Sequence, residues 1–310
     1  LWGDADDARA LPFRQKPVND HRYLTALAGL AFNEQTLIEA FSGPRSEIVW
    51  LLGPSVSQRL CDRPVRILGQ RSSAFREGGF YVLRNDVDHI FVDCGPLGLA
   101  GRGGHGHNDI LSFEAVLDGE HLVSDCGAYL YTANVAERNF FRSTALHNTP
   151  RIDGEEINRF IRPDFLWALE NDADHVLEAF EPGGAKDRLV VAHDGYRRLA
   201  NPVLVRRTFE LDHVAHTISI ADEFTGEGEH LVEIPLHLAI GVGAELTENG
   251  AILTSRARRF ALSFTSPASW RLALEQARVS PTYGVATPTL RLTFQRTGQL
   301  APLQVEIRPA

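Results

Sequence analysis

The stretch Gly101-Arg102-Gly103-Gly104-His105-Gly106-His107-Asn108-Asp109 lies between two apolar, strand-like runs. The first run ends at residues 90–93 and the second begins at residues 110–113. Glycines let the backbone adopt positive φ angles and let other groups approach it closely. Two imidazoles on such a loop suit metal binding or acid–base chemistry. The stretch therefore predicts a functional site, with a solvated loop that happens to contain histidine as the alternative.

Short apolar runs on both sides of this loop predict strands. Residues 80–84 and 89–92 flank one turn, and residues 110–117 and 121–124 flank Asp118-Gly119, a pair typical of a type I′ hairpin turn. Similar runs follow at residues 189–193, 203–211, 216–223, 230–240, 251–254, 260–264, 290–295 and 303–307. Because few helical patterns separate these runs, they predict a mainly β fold, an antiparallel β-sandwich.

The beginning of the chain has a different pattern, with apolar residues at helical spacing and Asp20 as the predicted N-cap. We expect a helical segment over residues 1–65, too small to be a domain alone, and a β-sandwich domain over 66–310. Asp4, Asp6 and Asp7 form an acidic cluster for which a solvated turn is expected. The chain starts at Leu1 and contains no methionine, which we interpret as a processed, trimmed or incomplete sequence.

Composition excludes some partners. The formal net charge of −9 opposes general binding of polyanions, so nucleic acid is not expected, and an acidic ligand must meet a local group of arginines. No apolar run approaches the length that spans a bilayer. The three cysteines, Cys61, Cys94 and Cys126, match no CxxC metal pattern and no disulfide framework. Cys94 and Cys126 lie in apolar surroundings and are predicted to be buried free thiols.

Beyond the loop, Asp125 ends the predicted hairpin and His147 follows in the segment 142–149. Two histidines and one carboxylate are what a zinc site with an open position needs. In a straight strand, however, His107 would lie about 17 Å from Asp125, so the loop must fold back over the sheet. The alternative is that Asp125 only caps the hairpin and His147 makes a hydrogen bond within a loop.

Four segments together resemble the heparinase II/III family of bacterial polysaccharide lyases. They are Gly-Gly-His-Gly-His-Asn-Asp at 103–109, Ser-Asp-Cys-Gly-Ala-Tyr at 124–129, Arg-Asn-Phe-Phe-Arg-Ser-Thr-Ala-Leu-His-Asn-Thr at 138–149 and His-Asp-Gly-Tyr at 193–196. The resemblance covers residues 70 to 240 well and the C-terminus more loosely. It implies an α/α toroid packed on an antiparallel β-sandwich. The opening helices would then be the last part of that toroid, most of which is missing from this chain.

The resemblance also implies roles for particular residues. A structural Zn²⁺ would map onto His107, Asp125 and His147, and His105 would face the substrate. A loop tyrosine often contributes to catalysis, and Tyr129 or Tyr131 is the nearest match. Arginines near the loop, namely Arg102, Arg138 and Arg142, are candidates for gripping an acidic sugar, because guanidinium groups bind carboxylates in a bidentate manner. We predict Arg142, Asn148 and Tyr196 as substrate-binding residues, although Asp194-Gly195 beside Tyr196 equally indicates a turn.

The implied activity is β-elimination on a glycan that contains uronic acid, such as a heparin-type glycosaminoglycan or an alginate oligomer. The expected partners are that acidic polysaccharide or oligosaccharide and the toroid of the same protein, and the expected location is the bacterial periplasm or exterior. Two alternatives remain at this stage. One is a non-catalytic carbohydrate-binding or structural β-module, and the other is a metal-dependent hydrolase built on the histidine loop.

Overall fold

The computed structural model describes residues 3–4, 20–60 and 71–310 of the 310-residue chain. These residues fall into two compact units. The first comprises residues 3–4 with 71–310, and the second comprises residues 20–60. The predicted boundary between the helical and β parts, near residue 65, lies outside the described residues, as does Cys61.

The smaller unit is helical and has its own apolar core. Its helices are α1 (Arg22–Phe32), α2 (Gln35–Ala40), α3 (Ser46–Leu52) and α4 (Val56–Leu60). Asn33 ends α1 in the left-handed conformation (φ 54°), and the Glu34 side chain then caps α2 by accepting from the backbone N–H of Thr36. One face of each helix is buried, and the buried residues form one cluster: Ala26, Leu30, Ile38, Phe41, Ile48 and Leu60. No described helix is long and apolar enough to cross a membrane.

The larger unit consists of three antiparallel sheets, which confirms the predicted mainly β, antiparallel fold. The first sheet has the order β1-β2-β3-β4-β5, with β1 (Ser73–Phe75), β2 (Phe80–Arg84), β3 (His89–Asp93), β4 (Phe113–Leu117) and β5 (Glu120–Val123). Asp118 (φ 55°) and Gly119 (φ 78°) form the tight turn between β4 and β5. Two positive φ angles in a two-residue turn are the type I′ conformation that the sequence predicts.

Helix α5 and strand β6 follow and lead into the remaining two sheets. Their bounds are α5 (Val135–Phe141), β6 (Arg151–Ile152), β7 (His175–Glu181), β8 (Lys186–Tyr196), β9 (Val203–Asp212), β10 (Thr217–Gly226), β11 (Glu229–His237), β12 (Gly243–Thr247), β13 (Gly250–Ser255), β14 (Arg258–Thr265), β15 (Arg271–Thr282), β16 (Val285–Gln299) and β17 (Leu303–Pro309). Eight of these strands form a sheet in the order β12-β13-β14-β17-β10-β9-β8-β7, and four form a sheet in the order β15-β16-β11-β6.

One apolar core joins all three sheets. Phe113 of β4 packs against Phe209 of β9, with ring centroids 5.4 Å apart, and Phe264 of β14 packs against Phe294 of β16 at 5.3 Å. The eight-stranded sheet therefore packs against both of the smaller sheets. Cys94 and Cys126 are buried free thiols, as predicted.

One charged residue interrupts this core. Arg207 stands between Val205 and Phe209 on the inward face of β9 and has no exposed surface. It forms a bidentate ion pair with Asp222 of β10, with N–O distances of 2.7 and 2.9 Å. Its Nη1 also donates to the backbone carbonyls of Leu111 and Asn148. Arg207 thus connects the loop that follows His107 with the segment that follows His147.

Candidate active site

The glycine loop folds back on itself before the chain enters β4. The N–H of Ser112 donates to the carbonyl of Asp109 at 2.8 Å, and Leu111 adopts a positive φ of 65°. Gly106 packs against the backbone of Leu97, where a Cβ atom would lie 2.5 Å from the carbonyl oxygen. This reversal replaces the straight strand that would have left His107 about 17 Å from Asp125. It also separates the two histidines, because the His105 side chain is 63% exposed while that of His107 is fully buried.

His107 and His147 meet inside the unit, with ring centroids 5.3 Å apart. Nδ1 of His147 contacts Oδ2 of Asp125 at 2.8 Å, and Oδ1 of Asp125 accepts from the N–H of Gly127. The three predicted metal ligands therefore lie in one buried cluster, in which His147 touches both of the others. Sequence reasoning did not assign Asp109, yet the ligand atoms of His107, Asp109 and His147 lie within 4.8 Å of one another.

Two nitrogens of this cluster lack a hydrogen-bond partner among the described residues, namely Nδ1 of His107 and Nε2 of His147. A buried polar atom without a partner costs about 1–3 kcal/mol. Each ring contacts a carboxylate through its other nitrogen, which is the usual arrangement of a histidine that binds a metal. The donor set of two imidazoles and a carboxylate therefore fits a Zn²⁺ ion.

Charges in the cluster favour a cation. Burial raises the pKa of Asp93 well above its usual range, and the neighbouring Asp109 carboxylate raises it further. Burial acts in the same direction on Asp125, but the charge and hydrogen bond of His147 hold the pKa of Asp125 below its ordinary value. Although burial lowers it, the pKa of His147 is raised well above its ordinary value by Cys126 and Asp125. Because metal binding requires a neutral ring, a bound cation would displace this proton.

Asp4 enters the site from the start of the chain. Its carboxylate contacts Nδ1 of His105 at 3.0 Å and Nε2 of His107 at 3.1 Å, and it forms a bidentate ion pair with Arg138. The side chains of Asp4 and Arg138 are almost completely buried. The expected solvated turn is therefore wrong for Asp4, while Asp6 and Asp7 lie outside the described residues. Burial opposes ionisation of Asp4, but His107 and Arg138 lower the pKa of this carboxyl.

Aromatic rings line the side of the site on which His105 is exposed. The His105 ring meets Trp167 edge-on at 5.4 Å, and Trp167 meets Tyr131 at 5.6 Å. Tyr131 in turn packs against Tyr283, with ring centroids 4.8 Å apart and the rings tilted by 60°. Trp167 and Tyr283 keep about two fifths of their surface exposed, at 39% and 43%. We refer to Tyr131, Trp167 and Tyr283 as the aromatic cluster.

Tyr129, the predicted catalytic tyrosine, has a different environment. It adopts a positive φ of 54°, and its ring packs against Phe141 at 5.1 Å in a small apolar cluster with Cys126 and Leu146. Its N–H donates to Oγ of Ser280 at 3.1 Å. Tyr131, the other tyrosine that the sequence suggested, is the one that lies in the aromatic cluster beside His105.

The three predicted substrate-binding residues are fully buried. Arg142 donates to the backbone carbonyls of residues 165, 166 and 168, and burial lowers its pKa to about 10. The Asn148 amide bridges the carbonyls of residues 113 and 124 and the N–H of residue 237. The Tyr196 hydroxyl donates to the carbonyl of residue 150. This placement does not support the predicted substrate contact, because these polar groups hold neighbouring segments together inside the unit.

Comparison with known proteins finds one family and several solved structures of similar fold. Residues 68–305 match the profile of the family described as heparinase II/III-like, C-terminal. The heparin-sulfate lyase of Bacteroides stercoris is 25% identical over 190 residues, which cover 59% of this chain and 25% of that protein. A heparinase III structure with methylated lysines superposes with a TM-score of 0.73 at 18% identity, over 100% of this chain and 42% of that one. The heparan sulfate lyase structure from Pedobacter heparinus gives 0.72 at 17% identity, over 99% and 43%. The chain thus spans a quarter to two fifths of these relatives' lengths.

Proposed function

Because the chain belongs to the heparinase II/III-like family, we propose that it forms the β-rich part of a lyase that cleaves uronic-acid-containing glycans. The observation that carries the proposal is the pair of loop histidines. His105 is exposed, contacts a carboxylate and lies beside an aromatic ring. His107 is buried against His147, and one nitrogen of each of these two rings has no hydrogen-bond partner among the residues that the structure describes. The named activities of the relatives, a heparin-sulfate lyase and a heparan sulfate lyase, support the same substrate class.

The proposed reaction is β-elimination. A base removes the proton from C5 of the uronic acid, the released electron pair forms the C4–C5 double bond, and the bond from C4 to the glycosidic oxygen breaks. The departing oxygen then takes a proton. The C5 proton is only weakly acidic, so groups that stabilise the developing negative charge on the sugar carboxylate lower the barrier.

Residues of this chain supply part of that chemistry. His105 is the proposed catalytic group, because its ring is exposed and an imidazole acts near neutral pH either as a base or as a charged donor. Arg102 lies in the same loop and is exposed, whereas Arg138 and Arg142 are fully buried. We therefore assign the contact with the sugar carboxylate to Arg102. The aromatic cluster offers apolar ring faces for the sugar itself.

We further propose that His107 and His147 hold a zinc ion together with a carboxylate, either Asp125 as the resemblance implies or Asp109. When bound, the ion supplies positive charge that neutralises the buried carboxylates and fixes the loop on which His105 stands. Elemental analysis of the purified protein tests this assignment. We expect about one zinc per chain, lost in His107→Ala and His147→Ala. Loss in only one of Asp109→Asn and Asp125→Asn identifies the carboxylate ligand, and a metal-free wild type contradicts the proposal.

The remaining catalytic groups are proposed to come from an α/α toroid that precedes the described helices, consistent with the share of the relatives' length that this chain spans. The test uses the full-length protein with heparan sulfate, heparin and alginate, and follows the absorbance of the unsaturated product. We expect His105→Ala to lose at least about 100-fold in kcat while it keeps its zinc.

A matched control is His216→Ala, because His216 is also partly exposed and contacts a carboxylate, Asp88, at 2.7 Å. This variant should retain wild-type activity. Absence of product from every uronate polymer would overturn the lyase proposal and leave a carbohydrate-binding module. Activity that depends on the metal but persists in His105→Ala would favour a hydrolase.

A further inference from the structure

The first residues described in the chain are built into the site rather than lying on its surface. The N–H of Asp4 donates to the carbonyl of His105 at 3.0 Å, and the N–H of Gly3 donates to Oδ2 of Asp109 at 3.3 Å. Gly3 has a positive φ of 58°, and a Cβ atom there would lie 2.8 Å from the His105 carbonyl oxygen. Backbone contacts and a glycine thus bring the Asp4 carboxylate directly beneath the two loop histidines.

A carboxylate in this position determines which nitrogen of the His105 ring carries hydrogen. An ionised carboxylate only accepts hydrogen bonds, so Nδ1 of His105 must donate to it. The neutral His105 ring then has its lone pair on Nε2, away from Asp4. Nε2 of His107 lies between this carboxylate and Nη1 of Arg138, so the contact with Asp4 does not by itself fix the tautomer of His107. Asp4 therefore sets the tautomer of His105.

Arg138 holds this carboxylate in place. Its Nη1, which carries two hydrogens, donates to Oδ1 of Asp4 and also lies within hydrogen-bond distance of Nε2 of His107, at 3.2 Å. The guanidinium carbon lies 5.4 Å from the ring centroid of Tyr131 and 5.3 Å from that of Trp167. Since Trp167 also contacts His105, the His105 ring is held by Asp4 and by Trp167.

From this geometry we propose that Asp4 is a positioning residue for His105. The carboxylate fixes the His105 ring with hydrogen on Nδ1 and turns its Nε2 edge towards the sugar. The catalytic consequence rests on the lyase activity proposed above, whereas the assignment of the tautomer does not. Asp4 is not expected to contact the substrate, because its side chain is only 1% exposed.

The first test is spectroscopic and needs no substrate. Full-length protein labelled with ¹⁵N-histidine is compared with Asp4→Ala at a pH where the free imidazole is neutral, and the His105 signals are assigned by their loss in His105→Ala. We expect hydrogen on Nδ1 in the wild type and a mixture of tautomers, or mainly the Nε2–H form, in Asp4→Ala. An unchanged tautomer in Asp4→Ala would overturn the proposal.

The second test is kinetic and uses Asp4→Asn, which keeps the shape of the side chain and removes its charge. We expect kcat to fall about 10- to 100-fold, the usual effect of losing a carboxylate that orients a histidine, with KM changed by less than about three-fold. Gly3→Ala should act in the same direction, because it displaces Asp4 without removing it. Wild-type kcat in Asp4→Asn would contradict the proposal.

Asp88→Asn is the matched control, because Asp88 is also a fully buried carboxylate that contacts a histidine, His216. It should lower stability and leave kcat unchanged. Zinc is measured in each variant, since loss of the metal from Asp4→Asn would locate the effect at His107 and overturn the assignment to His105. If the wild type gives no product, the lyase proposal fails, and the tautomer experiment still decides the role of Asp4.

Discussion

Removing the Asp222 carboxylate should strongly destabilise the β unit. Asp222 is 1% exposed and provides both carboxylate contacts to Arg207, which is completely buried in the core. In Asp222→Ala the guanidinium charge stays buried without its counterion, which costs about 3–5 kcal/mol. At about 2–4 °C per kcal/mol for a unit of this size, the unfolding temperature should fall by about 10 °C.

A double variant separates the stability contributed by the ion pair from that contributed by the other hydrogen bonds of Arg207. Arg207→Met with Asp222→Leu removes both charges, so part of the stability should return. It should not return fully, because the carbonyls of Leu111 and Asn148 lose their donor, and each unsatisfied carbonyl costs about 1–3 kcal/mol. Thermal and urea unfolding of the single and double variants measure the contribution of the ion pair and that of the hydrogen bonds to the two carbonyls.

The control for charge removal is Glu181→Gln, at an exposed ion pair with Arg188 whose N–O distance is 3.3 Å. Exposed pairs contribute about 0–1 kcal/mol, so this variant should unfold within about 3 °C of the wild type. A shift in Asp222→Ala as small as that of Glu181→Gln would refute the view that Arg207 is held as a buried charge.

Two further predictions concern backbone packing and acid stability. Gly79→Ala should destabilise the unit by at least about 4 kcal/mol, because a Cβ there would lie 1.9 Å from Cα of Gly95. Gly119 has a similar φ and nothing within 4 Å of its Cβ position, so Gly119→Ala should lower the free energy of unfolding in urea by only about 1 kcal/mol. Burial, with Arg207 and Arg198, lowers the pKa of His193 to about 3, so the folded protein keeps this ring neutral while the unfolded chain binds a proton below pH 6.5. Stability contributed by this residue is therefore present above pH 6.5 and is lost as the pH falls towards 3. The loss is about 2 kcal/mol between pH 7 and pH 5, and it should be absent in His193→Asn, whereas equal pH profiles would contradict the assignment.

The sequence predicted those parts of the fold that depend on local pattern. The hairpin at Asp118-Gly119 is such a case, because Asp and Gly are residue types that accept the positive φ angles of this turn. Strand β7 was not predicted, because Glu178 and Glu181 interrupt its apolar residues and it pairs only with β8, at the edge of its sheet. Helix α5 was also missed, although Asn134 and Glu137 carried a capping signal that the structure uses, with the Asn134 side chain accepting from the N–H of Glu137.

The residues of the candidate site likewise divide into those that a local sequence pattern suggested and those that it did not. Gly104, His105, Gly106 and His107 are consecutive, and within this stretch His105 is exposed while His107 is buried. A short motif was therefore enough to suggest both histidines. Asp4 lies 101 residues from His105, and no local pattern indicates a contact across that distance. Arg142 was assigned to the substrate because a guanidinium can bind an acidic sugar in a bidentate manner, and both Arg142 and Asn148 lie in the segment that carries His147. Both side chains are buried and donate to backbone carbonyls of segments that are distant in sequence, and the sequence does not reveal these contacts.

The placement of Asp4 also bears on modular exchange between proteins of this architecture. A fragment that begins at residue 71 would contain every strand of the sandwich, yet it would lack the counterion of Arg138 and the carboxylate that contacts both loop histidines. Chimeras that swap the β unit between relatives by cutting the chain once would join histidines from one parent to an aspartate from the other. A chimera should therefore take the start of the chain and the β unit from the same parent, because Asp4 and the two histidines lie on opposite sides of the helical segment in the sequence.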